Sequence, residues 1–198
     1  AARSFLQAGD AAAARAELVR VAADSTAPAD AQRLAAATLI GAWIHDGHLD
    51  SAAARLRGRD GSHLGLDDRA ALRGALAQAW IHRGELTRAD SALASDSSID
   101  ALALHGWIAL YRGDLPGARA RFRAAGPYAG DRHDATERAA MLALIERMAG
   151  GGSPALGHAL FALAQGDSTA AVTRLREAAG RLPPTGGRAD VLLLAGRV

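Results

Sequence analysis

Ala42-Trp43-Ile44-His45-Asp46-Gly47-His48-Leu49 returns 37 residues later as Ala79-Trp80-Ile81-His82-Arg83-Gly84-Glu85-Leu86. Ala, Trp, Ile, His, Gly and Leu recur in place, and only the two positions flanking the glycine change. A self-match at this period, in a chain built from helix formers, indicates stacked helix pairs. The glycine is the punctuation: past a helix end it supplies the left-handed residue that a side chain disfavours. The same punctuation stands at Ala8-Gly9-Asp10, Arg112-Gly113-Asp114-Leu115 and Gln165-Gly166-Asp167-Ser168. The acidic residue that often follows suits the start of the next helix, as a cap or as a charge against its dipole. Each such turn is expected to join two antiparallel helices.

Composition agrees. Ala supplies 51 of the 198 residues, aromatics only 4%, and strand-like β-branched runs are short. All 23 basic residues are Arg; there is no Lys and no Asn. Such biases fit a GC-rich, bacterial genome, so abundant Arg does not by itself imply phosphate binding. The formal charge is only +2 despite a pI near 9.9, and it is spread along the chain. A nucleic-acid partner, which needs a concentrated basic face, is not expected. The absence of Cys excludes disulfides, thiolate nucleophiles and cysteine-ligated metals. The longest apolar run, Leu34 to Ile44, has eleven residues, too few for a membrane span of about 20. The chain opens Ala1-Ala2-Arg3-Ser4 with no initiator Met and no signal-peptide pattern. A soluble protein is expected, with cytoplasm and periplasm both open, and with the native ends missing.

Apolar residues recur at helical spacing: Leu115, Ala118, Phe122, Ala125; Ala171, Leu175, Ala178; Leu72, Leu76, Ala79, Trp80. Each set makes one buried stripe. The turn glycines are 38, 37, 29 and 53 residues apart. The largest gap is expected to hold an additional helix over 134–149, with Asp134 and Glu137 as a capping-box-like start and Gly150-Gly151-Gly152 as its end. Ser153-Pro154 then reads as the cap and first residue of the next helix. Residues 1–198 are read as one repeat segment, with sub-arrays 1–130 and 153–198 joined by that helix. Leu64 to Asp68 lengthens one connection, and Asp67-Asp68 reads as a helix cap.

These residues resemble the tetratricopeptide repeat family. From about Ile99, Gly106, Gly113, Leu115, Ala118, Phe122 and Ala125 sit where the family pattern puts them. Around Gly166, Ala159, Ala171, Leu175, Ala178 and Pro183 follow the same register. Trp43 and Trp80 take the large slot of two further copies, with Leu49, Ala52, Leu56 and Leu86, Ala89, Leu93 after them. The resemblance implies an all-α fold, an α-solenoid of stacked antiparallel helix pairs in a right-handed superhelix. It also implies a concave groove walled by the first helices. The variant of the family that grips a peptide carboxylate uses Lys, Arg and Asn there. Here the corresponding places hold Leu34, Ala37, Gly41, Ala71 and Ala75, so that clamp is not expected.

Each candidate site has an ordinary structural alternative. His45 and His48 are separated by Gly47, where the helix should stop, so their rings need not converge on a metal. Asp131, His133, Asp134 and Glu137 read more simply as a solvated loop and helix start. No nucleophile elbow, His-Glu-x-x-His or phosphate loop occurs in the sequence. No catalytic, cofactor or metal residue is therefore assigned, and an enzyme is not expected. Arg119, Arg121 and Arg123 alternate with Ala120 and Phe122; a solvated helix face explains them, and a phosphate or acidic-partner patch is the competing reading.

The aromatic and histidine positions carry the functional expectation. His45, His82 and Tyr111 each stand two residues before a turn glycine. Trp107 lies one turn before Tyr111, at a place the family pattern turns into the groove. Ile44, His45, Gln78, Ile81, His82, Trp107 and Tyr111 form the expected partner-binding wall. Packing between repeats is the alternative for the same side chains. The expected function is a protein-interaction scaffold for a peptide or helix. A helical accessory region of a larger, murein-degrading type of enzyme and the sensor or oligomerisation arm of a regulator share that fold.

Overall fold

The computed structural model describes residues 11–127, 132–148 and 152–198. Helices make up 77% of the described residues, with no strand among them. The helices are α1 (Ala11–Ala23), α2 (Ala29–His45), α3 (Leu49–Arg57), α4 (Arg59–Ser62), α5 (Leu66–His82), α6 (Leu86–Leu93), α7 (Ile99–Tyr111), α8 (Leu115–Ala125), α9 (Arg132–Arg147), α10 (Pro154–Ala164), α11 (Ser168–Gly180) and α12 (Arg188–Ala195). The turn at Gly9 and Asp131 lie outside the described residues, as do the last residue expected for the extra helix and most of the glycine run after it.

The four described turn glycines behave alike. Gly47, Gly84, Gly113 and Gly166 have φ of 77°, 87°, 78° and 81°. At Gly47 the glycine N–H donates to the Ile44 carbonyl at 3.0 Å, and the next N–H, of His48, donates to the Trp43 carbonyl at 2.8 Å. The same two bonds close the other three turns. This is the Schellman arrangement, which satisfies helix-end carbonyls only if one residue turns left-handed. Side-chain capping beyond the turn is less uniform. Asp114 accepts from the Gly117 N–H and Asp167 from the Ala170 N–H, each at 2.9 Å. Glu85 makes no such cap and pairs with Arg88 at 2.9 Å.

The chain forms two compact units, Ala1–Ala79 and Trp80–Val198, with the boundary inside α5. In the first, α2 packs against α1, α3 and the short α4. Its core is small-residue rich: Ala35, Ala36, Leu39, Ile40, Leu49, Ala52 and Leu56 are all buried. Arg15 pairs with Asp46 and so ties α1 to the turn after α2, and Arg33 pairs with Asp68 of α5 at 2.9 Å. Asp67 and Asp68 thus lie in the first turn of α5 rather than at its cap, because the helix already begins at Leu66. The lengthened connection before it holds α4.

In the second unit α7 packs on α8, α10 on α11, and α7 on α10. Leu115, Ala118, Phe122 and Ala125 are buried on one face of α8, and Ala171, Leu175 and Ala178 on one face of α11. Gly106 of α7 leaves room for Phe122, since a Cβ there would overlap the ring. The extra helix α9 packs on α8. Its Leu144 and Ile145, with Met148 just past its end, share a core with Val191 and Ala195 of α12, and Arg147 pairs with Asp190 of α12 at 3.0 Å. Buried Arg138 donates to the Gly126 carbonyl at 2.9 Å, securing α9 to the end of α8.

Candidate functional site

Three of the seven expected wall residues, Ile44, His45 and Gln78, lie in the first unit. The other four, Ile81, His82, Trp107 and Tyr111, lie in the second. His45, His82 and Tyr111 are the last residues of α2, α5 and α7, the same register at three helix ends. Their surroundings differ. His45, Gln78 and His82 are exposed, Ile44 is half-buried and Ile81 is buried.

Trp107 and Tyr111 are half-buried and packed against the core of the second unit. The Trp107 ring meets Phe122 of α8 edge-on at 5.2 Å and stacks on Tyr111 at 6.0 Å. Tyr111 in turn leans on Phe161 of α10 at 5.6 Å. Such offset and edge-to-face pairs are the favoured aromatic geometries. Burial pushes the Tyr111 hydroxyl pKa well above its usual range, and the Glu137 charge adds to that. Its phenol is therefore neutral at any physiological pH.

Helix α10 reaches this place through glycine. The Ser153 N–H donates to the Gly113 carbonyl at 2.9 Å. A Cβ on Gly113 would come 2.6 Å from Pro154 Cα, and one on Gly157 would come 2.7 Å from the Leu110 carbonyl oxygen. At the other end of α10, Gln165 approaches the Gly84 turn, its Nε2 3.0 Å from where a Cβ on Gly84 would be. So α10 runs from the Gly113 turn towards the Gly84 turn. Ser153, expected as a side-chain cap, makes none and spends its backbone N–H on Gly113, while Pro154 holds the first-turn position.

A polar cluster escaped the sequence reading. His105 Nδ1 of α7 and Asp90 Oδ1 of α6 are 2.7 Å apart, and Arg112 donates to Asp90 Oδ2 at 2.9 Å and to the Leu86 carbonyl at 3.3 Å. Partial burial by itself raises the Asp90 pKa. Hydrogen bonds from Arg112 and His105 outweigh it, leaving the carboxyl below its ordinary value. The cluster fastens α6 to α7. With no hydroxyl or thiol nucleophile in it, it has the chemistry of a brace.

The metal and charge candidates also have definite places. His48 turns its ring edge-on to Trp43 at 5.9 Å. His133 lies 3.3 Å from Glu137, one turn along α9. Among the described residues no group of three or more His, Asp or Glu is gathered as a metal site, and no helix is long and apolar enough to cross a membrane. Arg119, Arg121 and Arg123 are exposed, and Arg123 pairs with Glu146 of α9 at 2.6 Å. No family model matches the chain, and neither a curated protein nor a solved structure does.

Proposed function

We propose that this chain is a non-catalytic protein-interaction scaffold, a tetratricopeptide-like α-solenoid whose first helices receive a peptide or a helix of a partner protein. The observation that carries the reading is the recurrence of one construction. Helix, left-handed glycine and helix repeat with the same pair of closing hydrogen bonds at Gly47, Gly84, Gly113 and Gly166. Repeated pairs place side chains at the same position of successive helices within each unit, which is what an extended ligand can read. Exposed His45 and His82 stand at that register, and exposed Gln78 lies one helical turn before His82, all with polar surface to offer. Trp107 contributes what its packing on Phe122 and Tyr111 leaves uncovered.

The test separates binding from folding. A random-peptide display selection against the immobilised protein supplies a ligand, and fluorescence anisotropy measures its affinity for variants. His82→Ala and Gln78→Ala should each weaken binding by about fivefold or more, roughly 1 kcal/mol, with unchanged thermal melts. Trp107→Ala should weaken binding and lower the melting temperature together, because it also empties core space. Ligands that bind both exposed-residue variants like wild type would defeat the reading.

A further inference from the structure

Two exposed ridges of the chain match each other. On α2, Asp30, Leu34 and Thr38 follow at four-residue steps, one line along a helix. All three are exposed, on the side away from buried Ala35, Ala36, Leu39 and Ile40, and Leu34 is 68% exposed. A second line of four-residue steps, Ala189, Leu193 and Arg197, runs along α12 and just past its end. These too are exposed, opposite buried Val191 and Ala195, and Leu193 is 56% exposed. The first ridge belongs to one unit and the second to the other.

A lone exposed leucine is ordinary. These two sit in complementary surroundings. Each has a charged residue one turn to one side and a small or neutral residue one turn to the other, and the two charges are opposite. Asp30 has a loose 3.5 Å contact with Arg33, whose guanidinium is closer to Asp68, at 2.9 Å. The Thr38 hydroxyl already donates to the Leu34 carbonyl at 2.8 Å, so an apolar neighbour can cover Thr38 without stranding its donor.

We infer that α12 of one molecule docks antiparallel on α2 of a second copy. Both ridges advance by about 6 Å per step. In the antiparallel direction Arg197 therefore meets Asp30, Leu193 meets Leu34 and Ala189 meets Thr38. The parallel direction would set Arg197 on Thr38 and Ala189 on Asp30, leaving both charges unmatched. The two faces differ, so the contact is head-to-tail, and each added copy leaves one free ridge of each kind. A single helix-on-helix contact is small, so association is weak and rises with concentration. The α2 ridge ends before Ile44 and His45. Copies can thus fail to associate while a displayed peptide still binds, and the two readings fail separately.

Sedimentation velocity across the micromolar range reads the association. Wild type should shift steadily to larger species as concentration rises. Leu34→Glu and Leu193→Glu should each weaken this about tenfold or more. Mixing the two variants in equal amounts should restore one wild-type contact, giving a 1:1 complex that grows no further. Asp30→Arg and Arg197→Asp should each weaken association, and both reversals in one chain should restore it. Leu66→Glu charges a leucine of α5 that is 82% exposed, and should change association less than about twofold. Circular dichroism should show every variant folded. A wild type that stays monomeric at every concentration would overturn the proposal. So would the lack of a complex on mixing, charge reversals that do not rescue each other, or equal loss in Leu66→Glu, which marks general stickiness.

Discussion

The octapeptide that occurs twice, once ending in each unit, forms the same turn and two different environments. After Trp43 and after Trp80 the backbone closes identically, with the N–H five residues on donating to the tryptophan carbonyl at 2.8 and 2.9 Å. Both indoles are covered by a guanidinium, 4.8 Å away for Arg55 over Trp43 and 4.7 Å for Arg88 over Trp80. Yet these arginines are not equivalent in sequence. Counted from the turn glycine, Arg88 is four residues on and Arg55 eight, one helical turn apart, so either reaches the same side of its helix. Burial differs more. Trp80 is only 3% exposed, whereas Trp43 is half-buried and its indole N–H is shielded from solvent with no acceptor among the described residues. Local sequence dictates the turn; what surrounds the ring decides how much stability it brings.

That contrast can be broken by substitution. Trp80→Ala should cost about 3–5 kcal/mol, as expected for a large buried side chain. Trp43→Ala should cost about 1–2 kcal/mol less, because less area leaves the core and an unsatisfied indole donor is removed with it. Denaturant titrations measure both, and equal losses would deny the difference in environment. Next in size are the turns themselves. Gly47→Ala and Gly84→Ala should each cost about 1–2 kcal/mol, since a Cβ is disfavoured at left-handed φ. Here the two regions should respond alike, and a large disparity would show that the shared turn is not what both positions require.

The smallest effect concerns the Asp90 brace of the second region. Asp90 has its pKa lowered in the folded state, so its contribution is present above the unfolded carboxylate pKa and is lost as pH falls through the folded one. Asp90→Asn should therefore lose about 1 kcal/mol or less at neutral pH, given the exposure of the pair. The gap from wild type should close below about pH 4. Stability measured from pH 7 to pH 2 gives the result; a gap that persists at pH 2 would assign the effect to something other than the ionised carboxylate.

The all-helical class, the glycine turns and the buried stripes through Phe122 and Leu175 were legible because each has a period or a fixed offset. What the sequence did not disclose is tertiary. Nothing in the spacing around Gly157 announces that it lets α10 close on the Leu110 carbonyl, or that Phe161 will cover Tyr111. Asp90, His105 and Arg112 come from two helices at separations without a repeat. The register correctly put Tyr111 at a helix end alongside His45 and His82. It could not tell an exposed histidine from a tyrosine enclosed by a neighbouring helix.

The scaffold reading itself is tested most directly by hydrogen-exchange mass spectrometry, with and without the peptide obtained by display. Slowed exchange on binding should fall in the first helices, at residues 41–46, 78–83 and 104–111, with the second helices little changed. Protection confined to 49–57, 86–93 and 115–125 would contradict it and move the interface to the second helices.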